Sequence, residues 1–246
     1  MRVVILAGGL GTRISEESHL KPKPMIEIGQ QPILWHIMKI YAHYGYTDFV
    51  ICAGYKQHII KEYFANYCLH ASQVTFDLRD GSMEVHSNAS EPWRVTVVDT
   101  GLETMTGGRV KRIQDFIGQE PFMLTYGDAV ADIDLTALTA YHNSKGCYCT
   151  ITSAGVTQRF GVLDVKEGRV SGFREKSDDD MSLINAGFMI CQPEIFNYID
   201  GDDTILEKGP MSRLSAENQL AAYHHKGFWQ CMDTQREKEH LEEIWQ

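Results

Sequence analysis

An α/β fold built on a mostly parallel sheet is predicted by three features of the chain. Short β-branched and aliphatic runs alternate with amphipathic stretches of helical period through the first seventy residues. The first run, Arg2 to Ala7, ends in the glycine-rich turn Gly8-Gly9-Leu10-Gly11, and a mid-chain run, Phe122 to Tyr126, ends in Gly127-Asp128. Ligands of such sheets bind beyond the carboxyl ends of the strands. The glycine turn and the Asp128 carboxylate are therefore expected at one edge.

The elements follow in order. Arg2 to Ala7 reads as a strand buried on both faces. Pro32 opens a helix with apolar residues at Ile33, Leu34, Ile37, Ile40, Tyr41 and Tyr44, and Gly45 stops it. Asp48 to Ala53 is a second strand and Tyr55 to His70 a second helix, with a stripe of Ile59, Ile60, Tyr63, Phe64 and Tyr67. Val74, Phe76 and Leu78 alternate, Asp80-Gly81 signals a two-residue hairpin, and Met83 and Val85 alternate again, so Gln73 to Ser87 is expected as an excursion off the sheet. Val95 to Val98 returns to a buried strand, and Thr106-Gly107-Gly108 opens a basic helix through Arg109, Lys111 and Arg112. After Phe122 to Tyr126, Asp134 caps a helix to Lys145. Cys147 to Ser153 is a strand, Phe160 to Val165 and Val170 to Glu175 form a hairpin, and Leu183 to Cys191 is another strand. Glu194 to Ile199 and Ile205 to Ala216 are helical, the second interrupted at Gly209-Pro210. A strand pair within Leu220 to Cys231, with His224-His225 on an exposed edge, precedes a helix from Thr234 to Trp245. The chain is expected to form one domain, residues 1–246.

The turn suits phosphate. Gly8, Gly9 and Gly11 let backbone N–H groups close on an anion without interference from Cβ. Arg13 follows, and Lys21 and Lys23 each precede a proline, which predicts a stiff, extended basic arm. A dinucleotide fingerprint needs a glycine where Ile14 stands, and a Walker A loop needs Gly-Lys-Ser/Thr, so both are excluded. A tight turn with ordinary surface cations remains the plain alternative. Asp128 is read as a Mg²⁺ ligand facing that loop, Asp132 and Asp134 being better placed for capping. Asp233 reads equally as a cap of the last helix or as a ligand. Glu175-Lys176 on its own reads as a solvated strand end.

Composition excludes several classes. A formal net charge of -10 repels nucleic acid and anionic membranes. The six cysteines form no Cys-x-x-Cys pair and no signal peptide is present, which predicts reduced thiols in the cytoplasm. No apolar run reaches the ~18 residues that span a bilayer. Ten histidines form no zinc spacing, and no Gly-x-Ser-x-Gly elbow occurs.

LAGGLGTR followed by KPKPM resembles the signature of the sugar-phosphate nucleotidyltransferases. The stretches PILWHIMKIYAHYG, IKEYFANY, EPWRVTVVDTG, TMTGGRVKR and GFWQCMDT extend a similarity to the cytidylyl branch of that family over essentially the whole chain. The resemblance implies a Rossmann-like nucleotide-diphospho-sugar transferase fold, with residues 1–130 as the nucleotide-binding half and 131–246 as the acceptor-binding half. It implies Mg²⁺-dependent joining of CTP and a sugar 1-phosphate, α-D-glucose 1-phosphate first, to give a CDP-sugar and pyrophosphate for polysaccharide biosynthesis. Catalysis is then assigned to Arg13, Lys23 and Asp128, and metal binding to Asp128 and Asp233. The nucleotide falls to Leu6, Ala7, Gly8, Gly9, Gly11, Thr12, Arg13, Lys23, Thr106, Gly107 and Gly108, and the acceptor to Glu175, Lys176 and Asn185. A homo-oligomer is implied too, with the Asp80-Gly81 hairpin as the expected contact.

Three positions depart from the family pattern. Ala129, Ser177 and Ala186 replace Gly, Pro and Gly, and Asp178-Asp179-Asp180 stands where relatives carry mixed charge. All lie in or beside the acceptor half, which keeps open a cytidylyltransferase for a different phosphorylated acceptor. Another nucleoside triphosphate, and a non-catalytic nucleotide sensor of the same fold, also remain open.

Overall fold

The computed structural model describes residues 1–11, 14–157, 162–166, 169–174 and 181–245, with side chains described except at 15, 16, 88 and from 156 to 182. Strand β1 (Arg2–Ala7) leads through the short α1 (Ser15–Ser18) to a two-residue ladder, β2 (Glu27–Ile28) with β3 (Gln31–Pro32), and into α2 (Ile33–His43). Next come β4 (Asp48–Ala53), α3 (Gln57–Ala65), α4 (Tyr67–His70), the hairpin β5 (Ser72–Asp77) and β6 (Ser82–Asn88), and β7 (Arg94–Asp99). The middle of the chain supplies α5 (Thr106–Arg112), α6 (Gln114–Ile117), β8 (Phe122–Tyr126), β9 (Ala129–Ala131), α7 (Leu135–Lys145) and β10 (Cys149–Thr157). The remainder is β11 (Val162–Lys166), β12 (Arg169–Arg174), β13 (Met181–Asn185), β14 (Met189–Cys191), α8 (Gly209–Ala216), β15 (Leu220–His225), β16 (Trp229–Cys231) and α9 (Gln235–Trp245).

The sheet grows outward from β1 to β4 to β7, all parallel, and the chain then returns to the opposite edge of β1 as β8. That reversal opens a crevice at the carboxyl ends of β1 and β8, where neighbouring connections leave in opposite directions. Beyond β8, β14 and β10 run antiparallel, and β15 joins β10 in parallel. β1 and β4 are buried on both faces, as parallel strands covered by helices are. Val3, Ile5 and Ala7 with Phe49, Ile51 and Ala53 pack under α2, whereas Val4 and Leu6 with Val50 and Cys52 pack under α5. The alternation is the period of two expected of a pleated strand.

Several expectations are refined. The helix expected over Tyr55 to His70 breaks at Asn66, whose side-chain amide donates to the Glu62 carbonyl at 2.9 Å. The hairpin loop is four residues, Leu78 to Gly81, closed by Gly81 N–H to the Asp77 carbonyl at 2.9 Å. The strand expected over Leu183 to Cys191 is interrupted at Ala186–Phe188, where Gly187 and Phe188 take positive φ. Gly209-Pro210 begins α8 instead of interrupting it, because proline at the first turn needs no N–H partner. β15 and β16 do not pair with each other: β15 adds to β10, and β16 pairs with β9. His225 is buried and contacts Asp132 Oδ1 at 3.0 Å, whereas His224 is exposed on the edge strand as expected. The arm is not extended throughout, since Lys23–Met25 folds into one 3-10 turn. Asp134 caps α7 through Ala137 N–H at 2.9 Å, as expected.

Candidate active site

The crevice is a cleft of ≈ 460 Å³. Its floor is the end of β1 and the turn beyond it, Leu6, Ala7, Gly8, Gly9 and Gly11, with Gly11 at φ +66. Gly127, at the end of β8, abuts the Leu6 carbonyl, which a Cβ would approach to 2.9 Å. This close approach sets Asp128 against the turn.

One wall is charged. Lys23, only 9% exposed, donates from Nζ to Asp128 Oδ2 at 2.7 Å and also to Asp233 Oδ1. Burial disfavours the ammonium, but the attraction and hydrogen bonds of the two carboxylates outweigh it, and the Lys23 pKa is raised. Asp128 and Asp233 are brought together by the β9–β16 ladder, in which Cys231 pairs with Ala129 and Met232 N–H donates to the Asp128 carbonyl at 2.8 Å. Asp233 is not the cap of α9. Thr234 Oγ1 accepts from Glu237 N–H at 3.3 Å, and the Glu237 carboxylate accepts from the Asp233 and Thr234 N–H groups at 2.8 and 2.9 Å. That reciprocal capping box serves the helix start and leaves the Asp233 side chain to the cleft.

The opposite wall is built from α5 and the segment before it. Arg109 is buried and donates from Nη1 to Thr100 Oγ1 at 2.9 Å and the Gly101 carbonyl at 2.7 Å, and from Nη2 to the Leu102 carbonyl at 3.1 Å. Its guanidinium lies under Gly8, where a Cβ would come within 2.0 Å of Nη1. Burial lowers its pKa. Thr104, Met105 and Thr106 complete this wall. Tyr126, at the end of β8, and Glu207 also line the cleft.

The cleft thus gathers Leu6, Ala7, Gly8, Gly9, Gly11, Lys23, Thr106, Asp128 and Asp233 of the residues singled out in the sequence. Gly107 and Gly108 are placed elsewhere: their N–H groups donate to the Thr204 carbonyl at 2.9 and 3.3 Å, and Cβ atoms there would meet Thr204 and Asp202 backbone at 2.7 and 2.5 Å. Their glycines serve the docking of residues 202–204. Asn185 borders the cleft through Tyr126, to whose hydroxyl its Nδ2 donates at 3.3 Å. Thr12, Arg13, Glu175, Lys176, Ser177 and the run Asp178-Asp179-Asp180 lie outside the described residues. Ala129 and Ala186 are buried within the fold and do not line the cleft, Ala186 offering its carbonyl to Trp229 Nε1 at 2.8 Å.

Sequence reasoning did not single out Arg109, Thr104, Tyr126 or Glu207 as site residues. Arg109 had a signal, a cation one turn into a helix that starts at the sheet edge. Glu207 had none, because its place depends on the long connection before α8.

The charged wall fits a divalent ion. Asp128 and Asp233 already direct carboxylate oxygens at one shared cation, the Lys23 ammonium, and hard oxygen donors suit Mg²⁺. Among the described residues no group of three or more Asp, Glu, His or Cys gathers at a metal position. The protein's share would be two carboxylates, the pattern Mg²⁺ takes when substrate phosphates and water supply the rest.

Comparison with known proteins shows the family. The chain is 51% identical to glucose-1-phosphate cytidylyltransferase of Salmonella typhimurium (strain LT2) and to that of Salmonella typhi, each over 247 residues covering 100% of this chain and 96% of the relative. A solved structure of UDP-glucose pyrophosphorylase from Acinetobacter baumanii superposes with a TM-score of 0.73 at 18% identity, covering 99% of this chain and 92% of that one, which speaks to the fold alone. The profile of the nucleotidyl transferase family matches residues 2–235, so this chain, with its glycine turn, paired carboxylates and bridging lysine at one sheet edge, belongs to the nucleotidyl transferase family.

Proposed function

We propose that the chain joins CTP and α-D-glucose 1-phosphate to give CDP-glucose and pyrophosphate. The observation that carries this reading is Lys23 held between Asp128 and Asp233 beside the β1 turn. The substrate pair is the one that the name of the Salmonella relatives implies. An acceptor phosphate oxygen attacks the α-phosphorus of CTP in line with the departing pyrophosphate. No histidine base is required, since the second pKa of a phosphate monoester is about 6 and the acceptor is already a dianion at neutral pH.

The remaining work is positioning and charge neutralisation. The N–H groups of the glycine turn receive the triphosphate. Lys23 and Arg13 neutralise it and the leaving pyrophosphate. Lys176 holds the acceptor phosphate, and Glu175 and Asn185 the sugar hydroxyls. Mg²⁺ held by Asp128 and Asp233 would supply further neutralisation of the approaching phosphates. Burial of Ala129 and Ala186 in the body of the fold removes one ground for a different acceptor.

We further propose that copies of the chain assemble through the β5–β6 hairpin. Phe76 pairs with Met83 and Val74 with Val85 on one face, and Phe76, Met83 and Val85 are about half exposed, with Leu78 beside them at 92%. A clustered apolar face of this kind marks an interface more often than a bare surface. All six cysteines are free thiols, consistent with work in the cytoplasm.

Pyrophosphate release measured with CTP, UTP and a panel of sugar 1-phosphates tests the reaction. CTP with glucose 1-phosphate should give the highest kcat/KM. CTP binding without pyrophosphate release under any acceptor would instead identify a nucleotide sensor, and a preference for another phosphomonoester would replace the acceptor.

A further inference from the structure

The far end of the cleft contains a polar connection that the proposed reaction does not use. Glu207, on the connection before α8, lines the cleft. Tyr126 donates its hydroxyl proton to Glu207 Oε1 at 2.6 Å, and Thr106 donates from Oγ1 to Oε2 at 2.7 Å. Each carboxylate oxygen is thus committed to a different wall. Thr106 is the first residue of α5, and its Oγ1 in turn accepts from Leu206 N–H at 2.9 Å. Tyr126 ends β8 two residues before Asp128, and its hydroxyl accepts from Asn185 Nδ2 at 3.3 Å. Burial first, and then the neighbouring Glu207 carboxylate, push the Tyr126 phenol up, so it remains a donor through the physiological range. Gly187 makes room for the ring, since a Cβ there would come within 3.1 Å of Tyr126 Cδ2.

We propose that Glu207 is a positioning residue that clasps the nucleotide wall at Thr106 to the acceptor wall at Tyr126 and Asn185, so that each substrate's site depends on the other's. This rests on the proposed reaction, in which Asn185 faces the sugar, together with the family resemblance that gives Thr106 to the nucleotide. Sequence distance supports the role: the clasp joins residues 101 and 81 positions apart, which no local element holds together. Both bonds are charge-assisted, the stronger class of hydrogen bond. Losing either leaves a Glu207 carboxylate oxygen without its donor, and losing the Thr106 hydroxyl also removes the acceptor of Leu206 N–H.

The test is steady-state kinetics on the full chain with CTP and glucose 1-phosphate, using Glu207→Ala, Glu207→Gln, Thr106→Ala, Tyr126→Phe and the Thr106→Ala/Tyr126→Phe double variant. A hydrogen bond to a charged group is worth about tenfold in an equilibrium constant. The clasp predicts crossed effects: Thr106→Ala raises the acceptor KM, and Tyr126→Phe raises the CTP KM, each by about tenfold. The double variant should be no worse than the poorer single one, and Glu207→Ala should reproduce it. Glu207→Gln, with a single amide oxygen, should recover one arm only. If wild-type enzyme turns over but each single variant disturbs only its own substrate and the two losses multiply, the clasp is wrong and the proposed reaction stands. If wild-type enzyme releases no pyrophosphate, the reaction fails and the clasp falls with it.

Discussion

Two buried cations flank the cleft, and they are held in opposite ways. Lys23 is gripped by the carboxylates of Asp128 and Asp233, residues 105 and 210 positions away. Arg109 is gripped by neutral oxygens: Thr100 Oγ1 and the carbonyls of Ala53, Gly101 and Leu102. Carboxylates can hold a metal ion as well as an ammonium, so in the proposed reaction Mg²⁺ takes the place of the Lys23 charge and Lys23 turns toward a phosphate. The carbonyls hold the guanidinium fork from several sides, so Arg109 fixes the end of β4 to the segment after β7 as a bracket. On the proposed reaction, one cation serves chemistry and the other serves shape.

That contrast is broken most directly at Lys23 and Asp128. Removing one donor that acts on the transition state costs about 2.7 to 4 kcal/mol. Lys23→Ala and Asp128→Asn should therefore lower pyrophosphate release by roughly a hundredfold or more, with the fold retained by circular dichroism. Near-normal turnover in either variant would put Lys23 in the same structural class as Arg109.

Arg109→Met should do the reverse and act on stability. Its carbonyl partners would lose charge-assisted donors inside the protein, at a cost of about 2 to 4 kcal/mol read from urea unfolding. Gly8→Ala probes the same bracket from above. The new Cβ would meet the guanidinium, and overpacking of this kind costs about 1 to 3 kcal/mol. Gly9→Ala is the control for stability, because a Cβ there meets nothing within 4 Å and unfolding should move by less than about 0.5 kcal/mol. Equal losses at Gly8 and Gly9 would argue against the bracket.

The smallest effect lies away from the cleft, at His142 of α7. Its ring sits between Thr150 Oγ1 and the Gln192 amide, each at 2.8 Å, and burial lowers its pKa. The unfolded chain therefore binds a proton near the ordinary value of 6.5 while the folded protein does not. This stability is complete above about pH 6.5 and declines as pH falls below it toward the folded value. His142→Gln should flatten that part of the stability profile; an unchanged acid limb would show that other groups govern it.

What the sequence revealed follows how local the cause is. β1, β4 and β8 were legible because an unbroken apolar run bounded by glycine has few other readings, and Asp128 was legible because it stands directly at such a strand end. Asp233 was ambiguous because the residue before a helix reads as a cap until Thr234 and Glu237 are seen sharing that task. Lys23 reads from the sequence as part of a stiff basic arm facing phosphate, and its burial comes from two carboxylates that no local pattern announces. Gly107 and Gly108 read as a helix start that the resemblance assigns to the nucleotide, but their crowding answers to residues 202–204, nearly a hundred positions away. Long-range docking, which also places Glu207, leaves no periodic mark in the chain.

The central claim is that the glycine turn after β1 and the carboxylate after β8 share one metal-bound nucleotide. Calorimetric titration of the wild-type protein and Asp128→Asn with CTP, with and without Mg²⁺, tests it most directly. The account predicts saturable CTP binding that is strengthened by Mg²⁺ in the wild type and loses that strengthening in Asp128→Asn. No CTP uptake with the ion present, or an equal Mg²⁺ effect in both proteins, would contradict it.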